Sequence, residues 1–216
     1  MNSKSARSSS PMPAVFRSPM TWLLVVVVIA LVFVFTSSDD DDGADAGPQT
    51  GPVEITGTVL PPYTEPDTAT GLTIPTVEAS LLGGGAMRIE AGDGTPRLIG
   101  FFAHWCPHCQ AEVPIAGEWL RTTALPGGLQ AVAVSTAVEP SGDNYPPSDW
   151  FARENWPTRV LLDDDDGSIA GAFGLTAFPY WVATDAQGEV VARMTGNASV
   201  AQLEAMAALA ATSTAP

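Results

Sequence analysis

The chain has 216 residues, and 9 Lys+Arg against 24 Asp+Glu give it a net charge of −15. That length accommodates one ordinary domain with appendages, and an acidity this strong, with Lys4 the only lysine, repels phosphate backbones and excludes nucleic acid as a partner. Two cysteines, Cys106 and Cys109, are too few for a disulfide-rich scaffold and cannot by themselves supply the four ligands of a structural zinc site.

In chain order, the first 19 residues hold Lys4, Arg7 and Arg17 and no acid, and the apolar run Trp22 to Phe35 follows. Four consecutive valines leave it no polar face, so it reads as a membrane segment and not as a buried soluble helix. Thr36-Ser-Ser-Asp39 after it offers neither a small-residue cleavage site nor a cysteine for lipidation, which favours an uncleaved signal anchor over residues 20–36. All three basic residues before the span lie on one side of it, which puts residues 1–19 in the cytoplasm and makes this a single-pass protein of the cell membrane with its C-terminal part outside. Beyond the span, six arginines against 24 acids leave −18. Residues 37–72 combine the run Asp39 to Asp42 with Gly, Pro and Thr, a composition that does not bury enough apolar surface to fold alone. It reads as an acidic Pro/Gly-rich linker ending in a short strand within Val53 to Val59.

From Thr73 the pattern becomes globular. Arg97-Leu-Ile-Gly-Phe-Phe-Ala103 behind a Gly-Thr-Pro turn predicts a buried central strand, and a helix opens at Cys106 with Pro107 in its first turn and runs to about Thr122. Strands are expected at 129–135, 158–162, 180–184 and 189–194, the last two flanking the hairpin turn Asp185-Ala-Gln-Gly188, with a short helix at 148–154. Ser199 three residues before Gln202 has capping-box spacing and precedes a C-terminal helix with Val200, Leu203, Ala207 and Ala210 on one face. The fold class is α/β, a small mixed sheet between helices. Asp163 to Gly167 resembles a calcium loop, but registering Gly167 at its glycine leaves Leu162 and Phe173 where oxygen ligands are required. A strand-ending turn on an acidic surface is the expectation there.

The chemistry sits in Phe101-Phe-Ala-His-Trp-Cys-Pro-His-Cys-Gln-Ala-Glu-Val-Pro114. A C-x-x-C at a strand-to-helix junction exposes the first sulfur to the free N–H groups of the helix start and places the second one turn inside, close enough to close the disulfide Cys106–Cys109. Covalent haem attachment needs His directly after the second cysteine, where Gln110 stands, and a metal would need both His104 and His108 from the same short segment. No metal or organic cofactor is expected. A helix start stabilises an anion by about 0.3–1 kcal/mol, so stronger stabilisation of a Cys106 thiolate requires a donor, and His108 inside the active-site turn is the candidate. His104 has no assigned role and reads as solvated or locally bonded. Glu112 is either a proton relay near Cys109 or a helix-surface carboxylate, Pro114 kinks the helix, and Trp105 belongs to the rim of the site.

This block resembles the thioredoxin superfamily, and within it the membrane-anchored extracytoplasmic TlpA/ResA-like thioredoxins: Trp105-Cys-Pro-His-Cys109, Glu112 and Pro114 in C-x-x-C-x-x-E-x-P, Asp165-Asp-Gly167 after a strand, and Phe178-Pro179 before the final hairpin. The resemblance covers residues 73–214 and implies a thioredoxin fold, a cis bond at Pro179 facing the dithiol, and a substrate-binding role for Phe178 beside Trp105. Two residues depart from it. Gly100 occupies the position at which many thioredoxins carry a buried acid, and Cys-Pro-His-Cys is the DsbA-type active site of strongly oxidising relatives. The implied activity is thiol:disulfide exchange with protein substrates, catalysed by Cys106, Cys109, Pro107, His108 and Pro179, with a membrane redox partner and the oxidising direction favoured. The alternatives are a reductant for cytochrome c or envelope-protein maturation and, outside enzymes, a thiol-based metal chaperone using Cys106, Cys109 and His108.

Overall fold

The computed structural model describes residues 47–212, so the tail, the expected anchor and the first part of the linker lie outside the described residues. Among those described, no helix is long and apolar enough to cross a membrane.

The organising element is β4 (Arg97–Phe102), buried at every position. Its side chains alternate between two cores: Leu98 and Phe102 point to one, Ile99 and Phe101 to the other, as a central strand covered on both faces requires. β4 is followed by α1 (Pro107–Thr122), then β5 (Gln130–Ser135), α2 (Pro147–Arg153), β6 (Arg159–Leu162), α3 (Ser168–Ala172), β7 (Tyr180–Thr184), β8 (Val190–Thr195) and α4 (Val200–Thr212). The sheet order is β6-β5-β4-β7-β8. β4, β5 and β6 are parallel, whereas β7 and β8 are antiparallel to their neighbours. This mixed sheet with helices on its faces is the expected fold class.

Local chemistry accounts for the boundaries. Pro107 opens α1, and the helix continues through Pro114 without a break. Cys109, Val113, Ala116 and Trp119 recur along it and are buried in the core beneath. The Asp185 carboxylate accepts the N–H groups of Gln187 and Glu189 and closes the β7–β8 turn. Ser199 and Gln202 form the reciprocal capping box, with Ser199 N–H donating to Gln202 Oε1 at 2.9 Å and Gln202 N–H to Ser199 Oγ at 3.3 Å.

The segment read as a linker up to residue 72 is, from residue 47 on, part of the folded unit. β1 (Val53–Thr56), β2 (Thr76–Ser80) and β3 (Ala86–Ile89) form a separate antiparallel sheet. Leu60 and Ala69 are buried, Leu60 N–H donates to Ala172 O and Gly71 N–H to Val190 O, and the Asp67 carboxylate pairs with the fully buried Arg193 guanidinium. The composition argument failed because it treated the segment alone: its few apolar residues dock on a surface the rest of the chain provides. Against the upward pull of its own burial, Arg193 holds the Asp67 carboxyl below its ordinary value.

The Asp163 turn also differs from expectation. Asp163 is fully buried, and its carboxylate accepts the N–H groups of Asp164, Ile169 and Ala170, capping α3. Burial raises its pKa in spite of these donors.

Candidate functional site

The β4–α1 junction carries the dithiol. Cys106 occupies the N-cap position of α1 in extended conformation, and its carbonyl accepts the N–H of Gln110, the first bond of the helix. No side chain caps the first turn, so the thiol of Cys106 is at the end of the helix where amide N–H groups favour an anion. Both cysteines are free thiols. Cys106 retains 7% of its surface and Cys109 none, so only one of the two cysteines has an edge to solvent. Burial, reinforced by the charges of Cys106 and Glu112, pushes the Cys109 thiol far up.

Register brings the Pro179 loop to the same place. Phe101 of β4 pairs with Tyr180 of β7, so residues 178–179 meet the end of the sheet from which the chain leaves toward Cys106. The Phe178–Pro179 bond is cis and Pro179 is buried. Phe178 meets the half-exposed Trp105 edge to face, ring centroids 6.1 Å apart. Trp105 in turn donates from Nε1 to Ala137 O at 2.7 Å, which ties the rim to the loop after β5.

His104 is neither solvated nor bonded nearby. It is buried, with Nδ1 2.6 Å from Asp143 O and Nε2 accepting the N–H of Glu139 at 3.1 Å. It fastens the loop at 137–146 to the active-site turn across more than thirty residues. His108 is exposed, and its Nδ1 lies 2.9 Å from Asn197 Oδ1. Pro107 beside it is exposed. Among the described residues, no three His, Cys, Asp or Glu side chains gather as metal ligands.

Glu112 is not a helix-surface carboxylate. It is 1% exposed and accepts the Trp181 indole N–H, the Ala198 N–H at 2.5 Å and, more weakly, Asn197 Nδ2 at 3.5 Å. Burial outweighs these donors and raises its pKa. The same arrangement explains Gly100. Gly100 pairs with Trp181 across the β4–β7 ladder, and a Cβ there would lie 2.8 Å from Phe102 and from Trp181. The indole ring takes the space of a side chain at position 100 and donates to an acid delivered from the helix instead. Trp181 and Asn197 carry no sequence signal for this role, since each lies more than sixty residues from its partner and neither belongs to a motif.

Among solved structures, the chain is similar to StoA from Bacillus subtilis at 18% identity and a TM-score of 0.51, over 60% of this chain and 93% of that one. It is similar to a thioredoxin-family thiol:disulfide interchange protein from Chlorobium tepidum at 19% identity and 0.53, over 72% and 99%. A secreted Mycobacterium tuberculosis disulfide oxidoreductase homologous to DsbE of E. coli matches at 22% identity and 0.50, over 61% and 93%. These likenesses establish the thioredoxin-like fold. Residues 69–207 match the Redoxin family model, and the chain therefore belongs to the Redoxin family.

Proposed function

We propose that this chain exchanges disulfides with protein substrates outside the cytoplasm through Cys106 and Cys109, working in the oxidising direction. The observation that carries the reading is the asymmetric dithiol at the helix start, Cys106 keeping a small exposed edge and Cys109 fully buried. In the disulfide form, a substrate thiolate attacks Cys106 Sγ. The Cys106–Cys109 bond breaks, its electron pair passes to Cys109, and Cys109 takes up a proton. The second substrate thiolate then attacks the substrate sulfur of the mixed disulfide. Cys106 leaves as thiolate, the substrate gains a disulfide, and the enzyme is left as the dithiol. Trp105, Phe178 and the Pro179 loop form the surface on which the substrate chain lies, Pro107 fixes the helix start, and His108 stabilises the Cys106 thiolate, which raises the reduction potential. A membrane redox partner re-oxidises the dithiol.

A second reading, a reductant, is favoured by one feature: the buried Glu112 carboxylate opposes negative charge on the neighbouring sulfur, which works against stabilising the reduced form. Equilibration in glutathione buffers with acid quenching and mass-resolved alkylation decides. The oxidase reading expects a potential above the ~−270 mV of thioredoxin and alkylation of the dithiol form at Cys106 alone. A potential at or below that value, unchanged in His108→Ala, gives the site to the reductant reading.

The three basic residues before the apolar run Trp22 to Phe35, read as an anchor over residues 20–36, support an extracytoplasmic, membrane-tethered enzyme, as does the likeness to a secreted oxidoreductase. Protease added to intact cells should then digest the C-terminal domain while the chain fractionates with membranes. A mature N-terminus near Ser37 would replace the anchor with a cleaved signal.

A further inference from the structure

Asn197 lies in the turn between β8 and α4, 89 residues from the motif, yet its side chain is wrapped on the active-site turn. Its Nδ2 donates to His108 O at 2.8 Å and faces Glu112 Oε2 at 3.5 Å. The His108 carbonyl only accepts hydrogen bonds, so the amide group has one orientation: reversing it would set its oxygen against that carbonyl. The atom 2.9 Å from His108 Nδ1 is therefore Oδ1, an acceptor, and Nδ1 must carry a proton and donate it. The turn is held on either side of Asn197 by backbone donors, Gly196 N–H to Pro179 O at 2.8 Å and Ala198 N–H to Glu112 Oε2 at 2.5 Å. The turn 196–198 thus joins the Pro179 loop, the buried acid and the histidine of the motif, with Asn197 supplying the contacts to His108.

We propose that Asn197 is a positioning residue of the dithiol site, holding the proton of the neutral His108 ring on Nδ1 so that Nε2 is the nitrogen that takes the Cys106 proton. In that step the Cys106 S–H bond breaks, its electron pair stays on sulfur, and the proton passes to Nε2 to give an imidazolium with both nitrogens protonated. Nothing is oxidised or reduced. The inference rests on the reading of Cys106 as nucleophile given above. It goes further by assigning the histidine's tautomer and the residue that sets it.

The test uses the folded chain in its dithiol form with 15N-labelled histidine. At alkaline pH, the ring nitrogen shifts of His108 in the wild type should report the Nδ1–H tautomer. Asn197→Ala should move the ring to the Nε2–H form and slow alkylation of Cys106 by iodoacetamide at neutral pH by about three- to tenfold, the worth of one hydrogen bond. Asn197→Asp keeps the acceptor and should keep the Nδ1–H tautomer. In a His108→Ala background, Asn197→Ala should change the alkylation rate by less than about twofold, because the residue acts through the ring. A wild-type ring protonated on Nε2, an unchanged tautomer in Asn197→Ala, or an equal slowing with and without His108 overturns the proposal. The tautomer and alkylation results as expected, in a protein that transfers no disulfide to or from a peptide substrate, would leave this assignment standing and remove the oxidoreductase reading alone.

Discussion

Glu112→Gln tests the most unusual group in the site. The wild-type carboxylate offers two oxygens to three donors, the Trp181 indole N–H, the Ala198 N–H and Asn197 Nδ2. Even when protonated, the acid keeps a hydroxyl oxygen that can accept; glutamine has one acceptor oxygen only, so either Trp181 or Ala198 loses its acceptor and faces an amide NH2 in a fully buried place. Leaving a buried donor unsatisfied costs about 1–3 kcal/mol. The sign of the pH dependence follows from burial being the largest influence on Glu112, which lifts its folded pKa above the ordinary 4.5. A raised acid binds its proton more tightly in the folded state. Its contribution to stability is complete below 4.5 and is lost as pH rises through the folded value. Glutamine does not titrate, and the other titrating groups are common to both proteins. Urea unfolding of the two dithiol forms at intervals from pH 4 to pH 8 should therefore show the variant less stable by about 1–3 kcal/mol at the acid end, with the gap shrinking toward neutral pH. A gap that widens as pH rises would refute the reasoning, because it would mean that the donors stabilise the carboxylate by more than burial penalises it.

Two further outcomes are expected. Gly100→Ala should lower stability by about 1–3 kcal/mol in urea unfolding, because the Cβ would lie 2.8 Å from two rigid, fully buried rings; a change below about 0.5 kcal/mol would show that the Trp181 ring yields readily. Arg193→Ala strands the Asp67 carboxylate and removes the donor to Pro61 O and Phe173 O, so it should cost about 3–5 kcal/mol and make residues 57–72 the first site of limited proteolysis.

The parts legible in the sequence were those specified locally. The run Arg97 to Phe102 announces a strand covered on both faces because every residue is buried, Cys106 and Pro107 mark the helix start, and Ser199 with Gln202 states its own cap. The parts not legible were specified by distant partners. Asp67 finds Arg193 across 126 residues and turns what reads as a solvated spacer into part of the core. Asp163 reads as surface charge until α3 closes over it. His104 looks idle beside the motif because its two nitrogens are matched to backbone groups 35 and 39 residues away. Glu112 occupies a motif position, but whether it faces water or the core depends on Trp181, which nothing near α1 specifies.

That last placement bears on how the two departures from the thioredoxin pattern fit together. An acid on β4 at position 100 would approach the dithiol from the sheet, whereas here the acid comes from α1, on the same helix as Cys109, and the indole of Trp181 fills the vacated space. Cys109 and Glu112 are then two buried acids in contact with one electrostatic environment, and each is pushed toward its neutral form. Two anions held this close in a dry site do not coexist at low cost. In the proposed reaction, the electron pair that reaches Cys109 when the disulfide opens makes exactly such a pair of charges unless a proton arrives with it. Reduction of this site is on that account coupled to proton uptake at the buried end. At the exposed end the requirement is opposite, since Cys106 must leave as thiolate, and there the structure sets a helix start and a histidine oriented from Asn197. On the proposed reading, the surroundings of Cys109 oppose charge while Cys106 stands at a helix start, and the potential of the pair is expected to follow the balance between Glu112 and His108.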